Sequence, residues 1–159
     1  MTARYPLVLN STTIQEIQSG DSYNLYANTT VNGFNEGTTV SASAPSSTTN
    51  FDVATQSVQY YTSNTANNWT LNIRGSSGTS LNTLMSTGQS VTITMIVTNS
   101  STAYYQSALQ IDGSSVTPKW QGGTAPSSGN ASALDVYTYA IVKTGSATFT
   151  VFASQTKFA

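Results

Sequence analysis

Val136-Tyr-Thr-Tyr-Ala-Ile-Val-Lys143 and Ala147-Thr-Phe-Thr-Val-Phe-Ala-Ser154 are the two runs from which the fold of this chain can be predicted. Both are rich in β-branched and aromatic residues that alternate with smaller or more polar ones, a pattern typical of half-buried strands. The joint Lys143-Thr-Gly-Ser146 is short and contains glycine, so it can close an antiparallel hairpin. This part of the chain is therefore predicted to lie in a sheet.

Further strands are predicted upstream of the hairpin. In Trp69–Arg74 and Ser90–Thr98, apolar residues alternate with polar ones on the period of two that a pleated strand requires. Tyr104–Ile111 is a third strand, which ends at the turn pair Asp112-Gly113. Shorter apolar pairs, at residues 51 and 53 and at residues 58 and 60, predict strands ahead of these. The residues expected to face the core are Trp69, Leu71, Ile73, Val91, Ile93, Met95 and Val97, together with the aromatic residues Phe51, Trp120, Tyr139 and Phe149.

One short helix interrupts this pattern. Thr79–Gly88 places Leu81, Leu84 and Met85 at helical spacing, with Ser or Thr available as an N-cap and Gly88 just past the end. The predicted fold class is mainly β: an antiparallel β-sandwich or jelly-roll domain, with an extended N-terminal segment and one short helix.

Composition changes along the chain predict three zones. Residues 1–22 form a docking segment, residues 23–50 a Ser- and Thr-rich connector with room for one strand, and residues 51–159 the β domain. The first zone is more apolar than the second and too short to fold alone. The side chains expected to dock are Tyr5, Leu7, Val8, Leu9, Ile14 and Ile17.

Few charges are available for recognition. The 159 residues include only five basic and six acidic side chains, with no histidine and no cysteine. Nucleic-acid binding is not expected, because neutralising a phosphate backbone requires clustered lysine and arginine. The protein also lacks a basic patch that an anionic membrane surface could attract. Without cysteine and histidine, disulfides, thiolate metal sites and a Ser-His-Asp triad are excluded.

The carboxylates are the remaining catalytic candidates. A glycosidase needs two of them facing each other across roughly 5 to 9.5 Å. Asp112 lies in a predicted turn, while Asp52 and Asp135 lie near strand starts, so structural roles explain these three. No catalytic, cofactor or metal site is predicted. The full set is Glu16, Asp21, Glu36, Asp52, Asp112 and Asp135.

Exposed tyrosines are candidates for binding glycans or proteins. Tyr60-Tyr61 and Tyr104-Tyr105 are doublets, so one ring of each is expected to face the core and the other solvent or a partner.

Two stretches, one near each end of the chain, resemble segments of a known kind of protein. The first is Arg4-Tyr-Pro-Leu-Val-Leu-Asn-Ser-Thr-Thr-Ile-Gln-Glu-Ile-Gln-Ser-Gly-Asp21. The second runs through Trp120-Gln-Gly-Gly-Thr-Ala-Pro126, Gly129-Asn-Ala-Ser-Ala-Leu-Asp-Val-Tyr-Thr-Tyr139 and Phe149-Thr-Val-Phe-Ala-Ser-Gln-Thr-Lys-Phe158. They resemble an N-terminal segment and a C-terminal module of fibre-like, collagen-repeat-containing virion proteins of tailed bacteriophages, especially cyanophages and other marine phages. The middle of this chain departs from those fibres, which often carry Gly-x-y repeats there.

The resemblance implies a non-enzymatic structural protein of the virion, assembled in the host cytoplasm. It would be a capsid decoration (cement) protein or a short appendage, trimeric, with its first segment docked on a major capsid or tail protein and no cofactor. The alternative is a tail-fibre receptor-binding module that recognises host surface glycan through Tyr, Trp, Asn and Ser side chains. A polysaccharide depolymerase is a third reading, which the absence of histidine disfavours.

Overall fold

Strands dominate the computed structural model, which describes residues 35–159 and, before them, the backbone of two short strands. The chain divides into two compact units, Met1–Phe34 and Asn35–Ala159. In the first unit, β1 (Leu7–Asn10) pairs antiparallel with β2 (Thr13–Glu16), and Leu9 lies opposite Ile14. The predicted mainly β fold is confirmed.

The described second unit contains ten strands, one α-helix and one 3-10 turn. In chain order they are β3 (Thr38–Ser41), β4 (Thr48–Asp52), β5 (Val58–Asn64), β6 (Trp69–Arg74), α1 (Leu81–Leu84), β7 (Ser90–Thr98), β8 (Gln106–Ile111), β9 (Ser114–Val116), β10 (Lys119–Trp120), the 3-10 turn Gln121–Gly123, β11 (Leu134–Gly145) and β12 (Thr148–Phe158).

The strands form two sheets. One has six strands in the order β10-β12-β11-β7-β5-β3, and the other has four in the order β4-β6-β8-β9. From β3 to β8 the chain alternates between them, so that each strand lies beside the strand two places earlier. Those neighbours run parallel. In contrast, β11 pairs antiparallel with both β7 and β12, and β8 pairs antiparallel with β9.

The prediction of an antiparallel architecture is therefore wrong for much of the domain, because both sheets are mixed. Of the eight strand pairings in the second unit, five are parallel. The alternation of side chains that predicts a strand is the same in either pairing direction. Direction depends instead on which strands become neighbours, and the local sequence does not carry that information.

Several predicted elements agree closely with the structure. β6 and β7 have the predicted bounds, and β11 and β12 form the predicted hairpin with longer strands. The helix is a single turn inside the predicted range. The second unit begins at Asn35, ahead of the boundary predicted at residue 51, because β3 and β4 pair with β5 and β6.

One hydrophobic core takes side chains from both sheets. Trp69 of β6 packs edge-on against Tyr137 of β11, with ring centroids 5.8 Å apart, and this contact joins the sheets. Burial of each large side chain contributes ~1.5 to 3 kcal/mol. The apolar residues predicted to face the core in β6 and β7 do so, with Val91 at the partly buried end.

Charged side chains fasten the short helix to the sheets. Asp112 accepts hydrogen bonds from the amides of Leu81 (2.7 Å) and Asn82 (3.0 Å) at the start of α1. At the other end, the buried Lys143 donates to the carbonyls of Asn82 (2.6 Å) and Met85 (2.8 Å). Free helix-end amides and carbonyls are thereby satisfied.

Another ionisable side chain, that of Asp135, holds the loop that precedes β11. Asp135 is fully buried, and its Oδ2 accepts from Asn99 Nδ2 (2.8 Å) and the amide of Asn130 (2.9 Å). Asn99 in turn accepts from the hydroxyl of Thr65. Asp135 Oδ1 has no partner among the described residues. Burial raises the pKa of the Asp135 carboxyl above its ordinary value of 3.8, although the Asn130 amide opposes the shift.

Gly129 gives a test of this packing. A Cβ there would lie 2.6 Å from Asn99 Nδ2, 2.7 Å from Asp135 Oδ2 and closer still to the carbonyl oxygen of Tyr104. Gly129→Ala should lower the free energy of unfolding by ~1 to 3 kcal/mol, because a backbone oxygen cannot move aside cheaply. Gly78→Ala is the control, since no atom lies within 4 Å of its Cβ, and should change stability by less than about 0.5 kcal/mol. If urea denaturation showed that both variants lose the same free energy of unfolding, the close packing around Gly129 would be contradicted.

Asp135 predicts a pH dependence of stability. Its folded-state pKa exceeds the unfolded one, so the folded protein holds more protons between the two values. The contribution of this group is therefore full below pH 3.8 and declines as the pH rises through the raised pKa. Asp135→Asn retains an acceptor for both donors and removes the ionisation. Denaturation at several pH values should show the variant gaining stability relative to the parent as the pH rises; a difference independent of pH would refute the buried ionisation.

Candidate functional site

The predicted docking residues fall in the first unit. Leu7, Val8 and Leu9 belong to β1 and Ile14 to β2, where the structure describes the backbone pairing alone. Tyr5 and Ile17 lie outside the described residues. Docking by this segment stays a prediction.

Four of the six candidate carboxylates are described, and each contacts a structural partner. Asp52 forms an ion pair with Arg74 that links β4 and β6, with Nε and Oδ1 2.5 Å apart. Glu36 accepts from the hydroxyl of Ser57 (2.9 Å), while Asp112 and Asp135 hold α1 and the loop before β11. Glu16 lies in β2, and Asp21 lies outside the described residues.

Within the described part of the chain, the carboxylate side chains do not gather into a group of three that could hold a metal ion. No helix among the same residues is long and apolar enough to cross a membrane.

A concave aromatic surface lies where β10 meets β12. These strands pair in parallel, with Lys119 opposite Phe152 and Trp120 opposite Ala153. Two adjoining depressions, of about 390 and 450 Å³, share Trp120 and Gln121 in their linings. We call the first of these depressions the Trp120 groove and define it by Lys119, Trp120, Gln121, Phe152 and Ser154. Gln155 and Lys157 line the second depression, because strand alternation places them on the opposite face of β12 from Phe152.

The two aromatic rings of the groove have different settings. Phe152 is 50% exposed, although a phenyl ring is normally buried, and it belongs to the outward face of β12. Trp120 is half-buried, and its edge packs against Tyr139 with ring centroids 6.4 Å apart. The groove thus offers an exposed ring beside one that is fixed by the core.

A buried hydrogen-bond network supports the groove from below. The Tyr137 hydroxyl accepts from Gln155 Nε2 (3.1 Å), and Tyr139 donates to Gln106 Oε1 (3.3 Å). Gln155 Nε2 also donates to the carbonyl of Ser128 (3.2 Å), which ties the loop to the strand. Burial raises the pKa of both tyrosines well above 10, so they stay neutral donors and acceptors.

The charges of the groove are all positive. The Lys119 ammonium stands 6.0 Å from the centroid of the Phe152 ring, a cation–π arrangement, and Lys157 lines the neighbouring depression. No carboxylate lines either depression. Both lysines are exposed, whereas Lys143 is buried and Arg74 is paired with Asp52.

Sequence reasoning did not identify this groove. It assigned Trp120 to the core and expected glycan recognition by Tyr, Trp, Asn and Ser side chains in general. The tyrosine doublets that it singled out do not line the groove. Tyr61 is buried, Tyr60 is half-buried, and both rings of the second doublet are half-buried. One signal was available: Phe152 and Phe158 are aromatic residues on the face of β12 that otherwise carries Thr and Ser.

Comparison with known proteins gives no assignment. No protein-family model matches the chain, and neither a curated protein nor a solved structure matches it.

Proposed function

We propose that this protein is a non-enzymatic structural component of a tailed-phage virion, either a capsid decoration (cement) protein or a short appendage. Its N-terminal segment, residues 1–22, docks on a major capsid or tail protein, and its β domain is displayed outward. The observation that carries the proposal is the division of the chain at Phe34, which separates an apolar segment from a complete β domain. The resemblance of both ends to such proteins supports the same role.

The proposal includes a β-sandwich for the second unit. The Trp69–Tyr137 contact and the core drawn from both sheets support face-to-face packing of the two sheets.

A homotrimer is also part of the proposal. Val40, Tyr60, Ile96 and Val136 lie opposite one another across β3, β5, β7 and β11, on the face of the sheet away from the core. Val40 is 64% exposed and the other three are half-buried. An uncharged row of this kind can bury against a neighbouring subunit without desolvating an ion.

A receptor-binding module that recognises host glycan is the second candidate function. The Trp120 groove favours it, because ligand sites are concave and combine apolar surface with a few polar groups.

Virion docking can be tested with the full chain. Leu9→Asp combined with Ile14→Asp should lower the occupancy of the protein on purified particles about tenfold or more, because these positions lie opposite each other in the β1–β2 pair and both carboxylates would be buried against the apolar partner. Ser77→Asp, an exposed position in the second unit, is the matched charge control and should leave occupancy unchanged. Quantitative mass spectrometry of particles measures both, and circular dichroism checks the fold.

Full occupancy of the double variant would rule out docking by β1 and β2. Loss of both variants from particles would place the attachment in the second unit instead.

A further inference from the structure

We propose that the free edge of β3 pairs with β3 of a second copy of this chain, in a two-fold antiparallel contact. The inference goes beyond the virion role and does not rest on it, because association can be measured with the isolated protein. The contact uses main-chain groups of one strand, whereas the proposed homotrimer uses side chains on the face of the sheet away from the core. The two contacts are therefore separate, and together they would assemble six copies.

The topology leaves one end of the second unit open. β3 with β4, β5 with β6 and β7 with β8 form three successive pairs of strands, stacked in parallel like the coils of a solenoid. Antiparallel strands close the last pair, because β11 lies beside β7 and β9 lies beside β8. Within the described second unit, the first pair has no strand on its outer side. An edge strand in this position presents unpaired amides and carbonyls.

The register of β3 shows which of its main-chain groups are free. The amide of Val58 donates to the carbonyl of Gly37 (3.2 Å), and Thr38 lies opposite Val58. In a parallel pair, residues that bond to the neighbouring strand alternate with residues that face away from it. Thr38 and Val40 therefore direct their amides and carbonyls to the open side, and the residues next to them bond to β5.

This edge is accessible along its length. Thr38, Thr39 and Val40 are all exposed, and the main-chain groups of Thr38 and Val40 have no partner among residues 35–159. Val40 is 64% exposed, more than any other large apolar side chain that the structure describes. A strand that paired here would satisfy the main chain and cover this side chain in one contact.

The other sheet edges are less suited to pairing. β10 has two residues, follows Pro118 and contains Lys119, and β9 has three residues. In β4, the carbonyls of Thr48 and Asp52 already accept hydrogen bonds from residues that flank the strand. Short strands, proline and lysine are devices that keep an edge from pairing with another chain. The sequence of β3, Thr38-Thr-Val-Ser41, contains neither a charge nor a proline.

The strand that fits this edge is another copy of β3. In an antiparallel pair, two opposing residues exchange both an amide and a carbonyl bond. With a two-fold axis at Thr39, Thr38 of each copy lies opposite Val40 of the other, so each copy contributes only groups that are free. Because β3 has no charged side chain, two copies can approach without repulsion between like charges.

Analytical ultracentrifugation of the full-length protein tests the proposal. β3 has only four residues, so association should be weak and should increase with protein concentration. Val40→Pro removes a free amide without breaking a bond to β5, as proline at an edge allows. It should weaken association about tenfold or more, because two-fold symmetry removes the lost hydrogen bond twice.

Val40→Thr is the matched control. It keeps the amide and the β-branched shape, and it should associate within about threefold of the parent. Circular dichroism of both variants checks that the fold is retained.

Amide hydrogen exchange, followed by NMR, gives a second measurement on the unaltered chain. The amides of Thr38 and Val40 should exchange about tenfold or more slowly in concentrated than in dilute protein, because pairing gives them acceptors. The amides of Thr39 and Ser41 bond to β5 in every copy, so their exchange should change little with concentration.

Three results would overturn the proposal. Absence of concentration-dependent association would remove the contact, and equal association of Val40→Pro and the parent would place it at another surface. Equal losses in Val40→Pro and Val40→Thr would assign the contact to the valine side chain and not to the strand edge. Particles play no part in these measurements, so their outcome is separate from that of virion docking.

Discussion

Parallel pairing between strands that alternate from sheet to sheet is the constraint on which the second unit depends. Each strand from β5 to β8 pairs in parallel with the strand two places earlier in the chain. A parallel pair cannot be closed by a tight turn, as a hairpin can. Stability must come from both sheets at once, and the Trp69–Tyr137 contact is where one sheet meets the other. Loss of either sheet would expose the whole core, which favours cooperative unfolding.

β11 links the core to a loop at one end of the strand and to the short helix at the other. Its core-facing side begins with Asp135, continues through two tyrosines and an isoleucine, and ends with Lys143, and all five side chains are buried. The carboxylate holds the loop at Asn130 and the ammonium holds α1, while the apolar centre faces the opposite sheet. The two charges do not pair with each other. They bond to amides and carbonyls instead, so in a protein with few charged residues these buried side chains serve to position loops.

The sequence predicts what is local in this structure. β6, β7 and the β11–β12 hairpin follow from alternation of side chains and from one short joint. β3 was hidden because Thr38-Thr-Val-Ser41 is almost wholly exposed and has no core side chain to mark it. Parallel pairing and the Trp120 groove are long-range properties, since the β10–β12 ladder brings Lys119 beside Phe152 from distant parts of the chain. Local patterning also assigned Trp120 to the core, whereas this residue both packs against Tyr139 and lines the groove.

The unequal burial of the lysines has a practical consequence for labelling. The sequence contains three lysines, of which Lys143 is enclosed by the carbonyls of Asn82 and Met85, whereas Lys119 and Lys157 are exposed. An amine-directed reagent applied to the folded protein will therefore modify the ε-amino groups of Lys119 and Lys157 and leave that of Lys143 unmodified. A fluorophore on Lys119 would lie beside the Phe152 ring, and labelling of Lys143 would become a measure of unfolding.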